Sequence, residues 1–143
     1  MENGIHLTIL TPTQKLVDVK GVSEIYFRTS AGSMGIMPGY APTITDLDIG
    51  VVIYTHANTS GILRISGGLA RIEENNKVTL FADVAEEASH IDLARAQKAL
   101  ERAEMLLVSE LSDADRKNTT AAKLRALARI EAVELYSQNK SKS

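Results

Sequence analysis

Cysteine is absent from the 143 residues, which excludes a disulfide framework, a thiolate metal site and thiol chemistry. Tryptophan is absent too and phenylalanine occurs twice, so the aromatic platforms that stack single-stranded nucleic acid are missing. Neither sign of charge dominates. Sixteen basic and eighteen acidic residues leave a net charge of −2, with no general attraction to nucleic acid or anionic lipid. No apolar run approaches the roughly 20 residues of a membrane-spanning helix. The N-terminal MENGIHLTIL lacks a basic segment leading into an apolar core. The expectation is a soluble protein that reaches a membrane only through a partner.

Two periods divide the chain. From Ile5 to Phe81 apolar residues alternate as in strands: IHLTIL, VSEIYF, VVIYTH, GILRIS, LARI and KVTLF. Turn signals separate them, including Pro38-Gly39, Asp48-Ile49-Gly50, Gly67-Gly68 and Asn75-Asn76. Asn75-Asn76 is a natural hairpin tip because asparagine tolerates positive φ. From Ala85 to the end there is neither glycine nor proline. Leu93, Ala96, Leu100, Ala103 and Leu107 form one helix face, and Ser89 with Asp92 resembles a capping box at its start. The segment SDADRKNTT at 112–120 breaks the pattern. A second helix is expected from Ala121 to Tyr136, with Leu124, Leu127, Ala128, Ala132 and Leu135 apolar and a frayed tail at 137–143. The predicted fold is an N-terminal antiparallel β-sandwich, residues 1–88, followed by an antiparallel two-helix hairpin, residues 89–143. The first part carries 6 basic and 10 acidic side chains and the second 10 and 8, so the hairpin is the more basic part. Its alanine-rich seam buries little area per residue, which makes it weakly held.

Catalytic signatures are missing. No phosphate-binding GxxxxGK[ST] loop occurs, and the three histidines, His6, His56 and His90, lack metal-ligand spacing. Asp46 with Asp48, and Glu73 with Glu74, read as solvated loop charges. One constellation stands out. Asp92, Arg95 and Arg102 lie near one face of the first helix, and Arg125 and Arg129 near one face of the second. Antiparallel pairing brings four guanidiniums together, a chemistry suited to phosphate. Glu86 and Asp92 can accept from an adenine amino group or ribose hydroxyls, and Ala96 leaves room for a flat base. By spacing alone an ordinary charged helix surface is the favoured explanation, since exposed charge patterns of this kind are common and weak.

Three stretches in register resemble the ε-subunit family of F-type ATP synthases. They are MGIMPGYAPTIT at 34–45, ISGGLARI at 65–72 and LFADVAEEASHIDLARAQKALERAE at 80–104. The resemblance implies a non-catalytic rotor subunit. Its sandwich would dock on the γ subunit and the c-subunit ring, and its hairpin would move between a folded form and one extended toward the catalytic α and β subunits, blocking ATP hydrolysis. It also implies a docking turn at Ser33, Gly35, Met37, Pro38, Gly39 and Tyr40, where Tyr40 replaces the family's histidine and Ser33 an acidic residue. IDLARA at 91–96 matches a motif that binds regulatory ATP in some members. The ligands carried over are Glu86, Asp92, Arg95, Ala96, Arg102, Arg125 and Arg129. No required cofactor and no metal are implied. The implied location is peripheral, on the cytoplasmic face of a bacterial plasma membrane or the stromal face of a thylakoid. A stand-alone ATP sensor and a generic sandwich adaptor with a partner-binding hairpin are the alternatives.

Overall fold

The structure is a computed structural model that describes residues 4–142, with side chains through residue 139. Nine strands precede two helices: β1 (Ile5–Leu10), β2 (Lys15–Thr29), β3 (Gly32–Ile36), β4 (Thr43–Leu47), β5 (Gly50–His56), β6 (Thr59–Ile65), β7 (Gly68–Glu73), β8 (Lys77–Ala82) and β9 (Ala85–Glu87). A short 3₁₀ turn (Ala88–His90) then leads into α1 (Leu93–Leu107) and α2 (Asp113–Lys142).

The strands form one continuous sheet, ordered β4-β7-β8-β1-β2-β5-β6-β9, with β3 also on β2. β2 joins the two layers of the sandwich. Its first half pairs with β1 and its second with β5 and β3. Inward residues along it are Val17 and Val19, then Val22, then Ile25 and Phe27, so the alternation slips twice. Gly21 (φ 76) and register shifts beside Val22 accompany the slips. Bulges of this kind turn a strand's inner face from one layer to the next. The core between the layers is aliphatic: Ile5, Leu7, Ile9, Val22, Ile25, Val52, Leu63, Ile65, Val78 and Leu80 are all nearly inaccessible. Every strand pair is antiparallel except β1 with β8.

Several strands lay outside the alternation pattern. The first half of β2 is interrupted at Gly21, β3 holds two glycines in five residues, and β4 sits in the stretch read as a turn. Asp46 belongs to β4 rather than to a solvated loop. Its carboxylate accepts from the Ser30 N–H (2.8 Å) and hydroxyl (3.0 Å), tying down the β2–β3 turn. The backbone bond from Ser30, then its hydroxyl, hold the Asp46 carboxyl below its ordinary value. Asn75 and Asn76 do take positive φ, at 65° and 59°, and close the β7–β8 hairpin.

The helices differ from expectation at two starts. Asp92 itself is the N-cap of α1, its Oδ1 accepting from the Arg95 N–H at 3.1 Å, while Ser89 belongs to the 3₁₀ turn. The SDADRKNTT segment is helix rather than a break. Ser112 accepts from the Asp115 N–H, Asp113 and Asp115 occupy the first turn, and Arg116 reaches back to the Leu107 and Ser109 carbonyls. Thr119 and Thr120 bond the carbonyls four residues earlier, which satisfies hydroxyls that otherwise compete with a helix. The tail expected to fray is helical through Lys142, and Ser143 lies outside the described residues.

The hairpin seats itself through small residues. Ala96, Ala103, Ala126, Ala128 and Ala132 are buried, whereas Leu93, Leu124 and Leu127, read as seam positions, are exposed. Alanine admits close backbone approach, and the bulkier side chains are left outside. The main footing on the sheet comes from α2: Ala132, Leu135 and Tyr136 pack with Val51, Ile53 and Ile62 on the outer face of β5 and β6, and with Ala88 and Ile91 at the 3₁₀ turn.

Gly68 (φ 139) sits where an added Cβ would fall 2.0 Å from the Phe81 carbonyl oxygen. Gly68→Ala must displace β8 backbone, and we expect it to cost about 2 kcal/mol or more, read as a lowered thermal midpoint.

Candidate functional site

The β9–β6 pairing sets Glu86 directly opposite Arg64. Alternation along β6 puts Leu63 and Ile65 into the sandwich core and turns Ile62 and Arg64 outward, where α2 covers them. Arg64 is 3% exposed as a result. Its Nε donates to Glu86 Oε1, its Nη2 pairs with the same oxygen, and its Nη1 donates to Ser66 Oγ at 2.6 Å. Arg129 of α2 arrives from the other side and donates its Nε to that same Oε1 at 3.0 Å. One carboxylate thus joins the sheet to the hairpin through two guanidiniums. Burial pulls the Glu86 carboxyl up, but the Arg129 hydrogen bond and the charge and hydrogen bond of Arg64 outweigh it and leave it below its ordinary value.

A cleft of about 640 Å³ opens beside this cluster. Six of the seven proposed nucleotide ligands line it: Glu86, Asp92, Arg95, Ala96, Arg102 and Arg129. Arg125 lines an adjoining groove between the helices of about 290 Å³, which shares Ala99, Arg102 and Arg129 with the first. The hairpin therefore brings the four guanidiniums to one region, as antiparallel pairing requires. Ala96 is buried at the seam, and one oxygen of Asp92 is engaged as the helix cap. Arg95, Arg102 and Arg125 make no ion pair among the described residues. Lys98, His90, Ile91 and Ala99 also line the cleft and were not among the ligand candidates read from the sequence. Lys98 falls three residues after Arg95, so helical spacing alone could have found it. The size suits a small organic ligand, and cations outnumber acids on the walls.

The second set of predicted residues lies on β3 and in the turn between β3 and β4. Ser33 and Gly35 are exposed on β3, and an added Cβ at Gly35 would meet the Tyr26 ring at 2.9 Å. Gly39 (φ 90) permits the sharp turn after Pro38, and the Tyr40 N–H closes it on the Met37 carbonyl at 3.2 Å. Asn76 Oδ1 accepts from the Gly39 N–H at 2.6 Å, so the tip of the β7–β8 hairpin pins the turn between β3 and β4. Met37, Tyr40 and Tyr26 stand exposed around a shallow cleft with Gly35, Ile36 and Glu24. Ser33 stands outside that cleft. Among the described residues no cluster of histidine and acidic side chains could hold a metal ion, and no helix is long and apolar enough to cross a membrane.

The family profile for the ATP synthase Delta/Epsilon chain beta-sandwich domain matches residues 4–88, and that for its long alpha-helix domain matches residues 89–134. The chain belongs to the ATP synthase Delta/Epsilon family. Among its relatives it is 38% identical over 127 residues to the ATP synthase epsilon chain of Staphylococcus haemolyticus, covering 89% of this chain and 91% of the relative. It is 36% identical over 128 residues to the chloroplastic epsilon chain of Pyropia yezoensis, covering 90% and 94%. A chain in the Euglena gracilis mitochondrial ATP synthase shares the fold, with a TM-score of 0.72 at 23% identity over 95% of this chain and 81% of that one. A Tetrahymena thermophila mitochondrial ATP synthase chain does so at 0.67 and 16% identity, covering 92% and 98%.

Because the folded-state carboxyl of Glu86 lies below its ordinary value of 4.5, its contribution is complete above that pH and disappears as pH falls through the lower value. Glu86→Gln should be less stable than the parent at pH 7, with the gap closing below pH 4.5. Denaturant titrations across that range measure it.

Proposed function

We propose that the chain serves as the epsilon subunit of an F-type ATP synthase rotor, without a reaction of its own, and that its hairpin controls ATP hydrolysis by the complex. The observation that carries this is the joining of two features in one chain: near-full-length likeness to epsilon chains and a hairpin seated through a narrow patch. Ala132, Leu135 and Tyr136 are its main apolar footing on the sheet. A footing so small supports a two-state arm, since each buried methyl contributes only on the order of 1 kcal/mol.

In this reading residues 1–88 are the docking part and residues 89–143 the regulatory arm. The Met37-to-Tyr40 turn, held rigid by Asn76, meets the γ subunit and the c ring. The complexes named for the two solved neighbours contain a c ring, which agrees with that assignment. Met105, Leu106, Val108, Leu124 and Leu127 lie exposed on the hairpin and would find apolar partners on the catalytic α and β subunits once it extends. The subunit is peripheral to its membrane, on the side that carries the catalytic sector.

ATP is the regulatory ligand in the same reading. Arg95, Arg102, Arg125 and Arg129 would bind its phosphates, Glu86 and Asp92 its hydroxyl or amino donors, and Ala96 would lie under the base. Bound between α1, α2 and the edge of the sheet, it stabilises the folded hairpin and thereby permits hydrolysis.

Two measurements test this. Removing residues 89–143 from the chain reconstituted with the α, β and γ subunits should raise ATPase activity severalfold; unchanged activity would sink the inhibitory role. Calorimetry with ATP should give binding that weakens on the order of tenfold or more in Arg95→Ala and in Arg125→Ala. Absence of heat at millimolar ATP would leave Asp92 as a helix cap and nothing more.

A further inference from the structure

Arg64 is a buried cation that the nucleotide reading does not use. It lies beneath Glu86 on the sheet, outside the cleft, and its carboxylate partner is the one Arg129 also needs. The two arginines differ in when they reach it. Arg64 and Glu86 are cross-strand partners in β6 and β9, so their pair is made within the sandwich and needs no residue of the hairpin. Arg129 comes with α2. Docking therefore adds a second guanidinium to an oxygen that is already doubly bonded, and brings Arg125 close behind. Burial first, then the charges of Arg129 and Arg125, press the Arg64 guanidinium down from its ordinary value against the pull of Glu86.

We propose that Arg64 is a positioning residue that holds the docking equilibrium of the hairpin in check: by occupying Glu86 in advance, it makes Arg129 and Arg125 dock against like charge. An anion bearing several phosphate oxygens, seated in the adjoining cleft, offsets that charge, so docking becomes responsive to it. This last step rests on the reading of the cleft as a nucleotide site; the conflict between Arg64 and the hairpin arginines does not. Without Arg64 the same hairpin would dock well with no ligand and would have little left to sense.

The chain has no cysteine of its own, so a fluorescence pair can be attached to cysteines introduced at the exposed Thr13 and Glu110. Energy transfer then reports hairpin docking in the full-length protein. Tripolyphosphate and ATP serve as probes. In the parent, transfer should rise with either probe. Arg64→Met keeps the side chain's apolar bulk and removes its charge. It should raise the ratio of docked to undocked forms in probe-free buffer on the order of tenfold and flatten the response. Arg64→Lys should restore the parent's behaviour. Arg125→Gln, a change on the helix surface, should also raise probe-free docking, and it answers the question if Arg64→Met fails to fold.

Lower or unchanged probe-free docking in Arg64→Met, or in Arg125→Gln where Arg64→Met does not fold, overturns the proposal and makes Arg64 a strut. If the parent ignores both probes while Arg64→Met docks better, the nucleotide reading falls and the charge conflict stands. If the parent responds to ATP while Arg64→Met behaves like the parent, the reverse holds.

Discussion

One carboxylate oxygen, Glu86 Oε1, holds the two parts of the molecule in register. It receives a guanidinium from the sheet and another from the hairpin. The apolar footing beside it consists of alanine, leucine and tyrosine on a small patch of β5 and β6, and it sets no direction as strict as a hydrogen bond does. The ion cluster therefore fixes where α2 lies along the strands. The position of α1, and with it the walls of the cleft, follows from α2. α1 packs on α2 and has no comparable contact with the sheet. Moving Arg129 away from Glu86 thus moves every other guanidinium of the site.

The division of labour between the two parts follows from their side chains. The sandwich is held by interdigitated isoleucine, leucine and valine from all its main strands, and it has no reason to open. The hairpin is held on the sheet by Ala132, Leu135 and Tyr136 and by the carboxylate that Arg129 shares with Arg64. Large apolar residues on it face solvent rather than the seam. A helix pair that spent its leucines on its own interface would be firmer and would have nothing to offer a partner. In the proposed reading, a hairpin so lightly held lets a ligand decide between its seated and released forms.

Much of this was legible in the sequence, in proportion to how local each signal was. Period two before Ala85 and period three to four after it separated sheet from hairpin, and Asn75-Asn76 marked its turn correctly. Strands were missed where glycine or a bulge interrupted alternation, as at Gly21 in β2 and through the glycines of β3. The break predicted at 112–120 rested on composition. The segment is helical because Ser112 caps it, a local signal three residues from Asp115, and Arg116 reaches back to Leu107, a contact that runs between helices. The seven ligand candidates do come to one region, but the pattern of charges could not show which of them already had partners.

Arg64 illustrates the limit best. In GILRIS it reads as the polar member of an alternating strand, turned to water. Alternation does turn it away from the core, yet the outer face of β6 is covered by α2, so the same position becomes one of the most buried in the chain. The covering element lies some seventy residues away, and no local period reports it. The run Ile62-Leu63-Arg64-Ile65 held a hint, since Ile62 shares the outward face with Arg64 and an isoleucine there implies a cover. Once the cover is known, a buried arginine requires a carboxylate within reach, and the β6–β9 register supplies Glu86 directly opposite. The sheet therefore determines the charge that the hairpin meets where it is seated, and it does so through a residue that does not line the cleft.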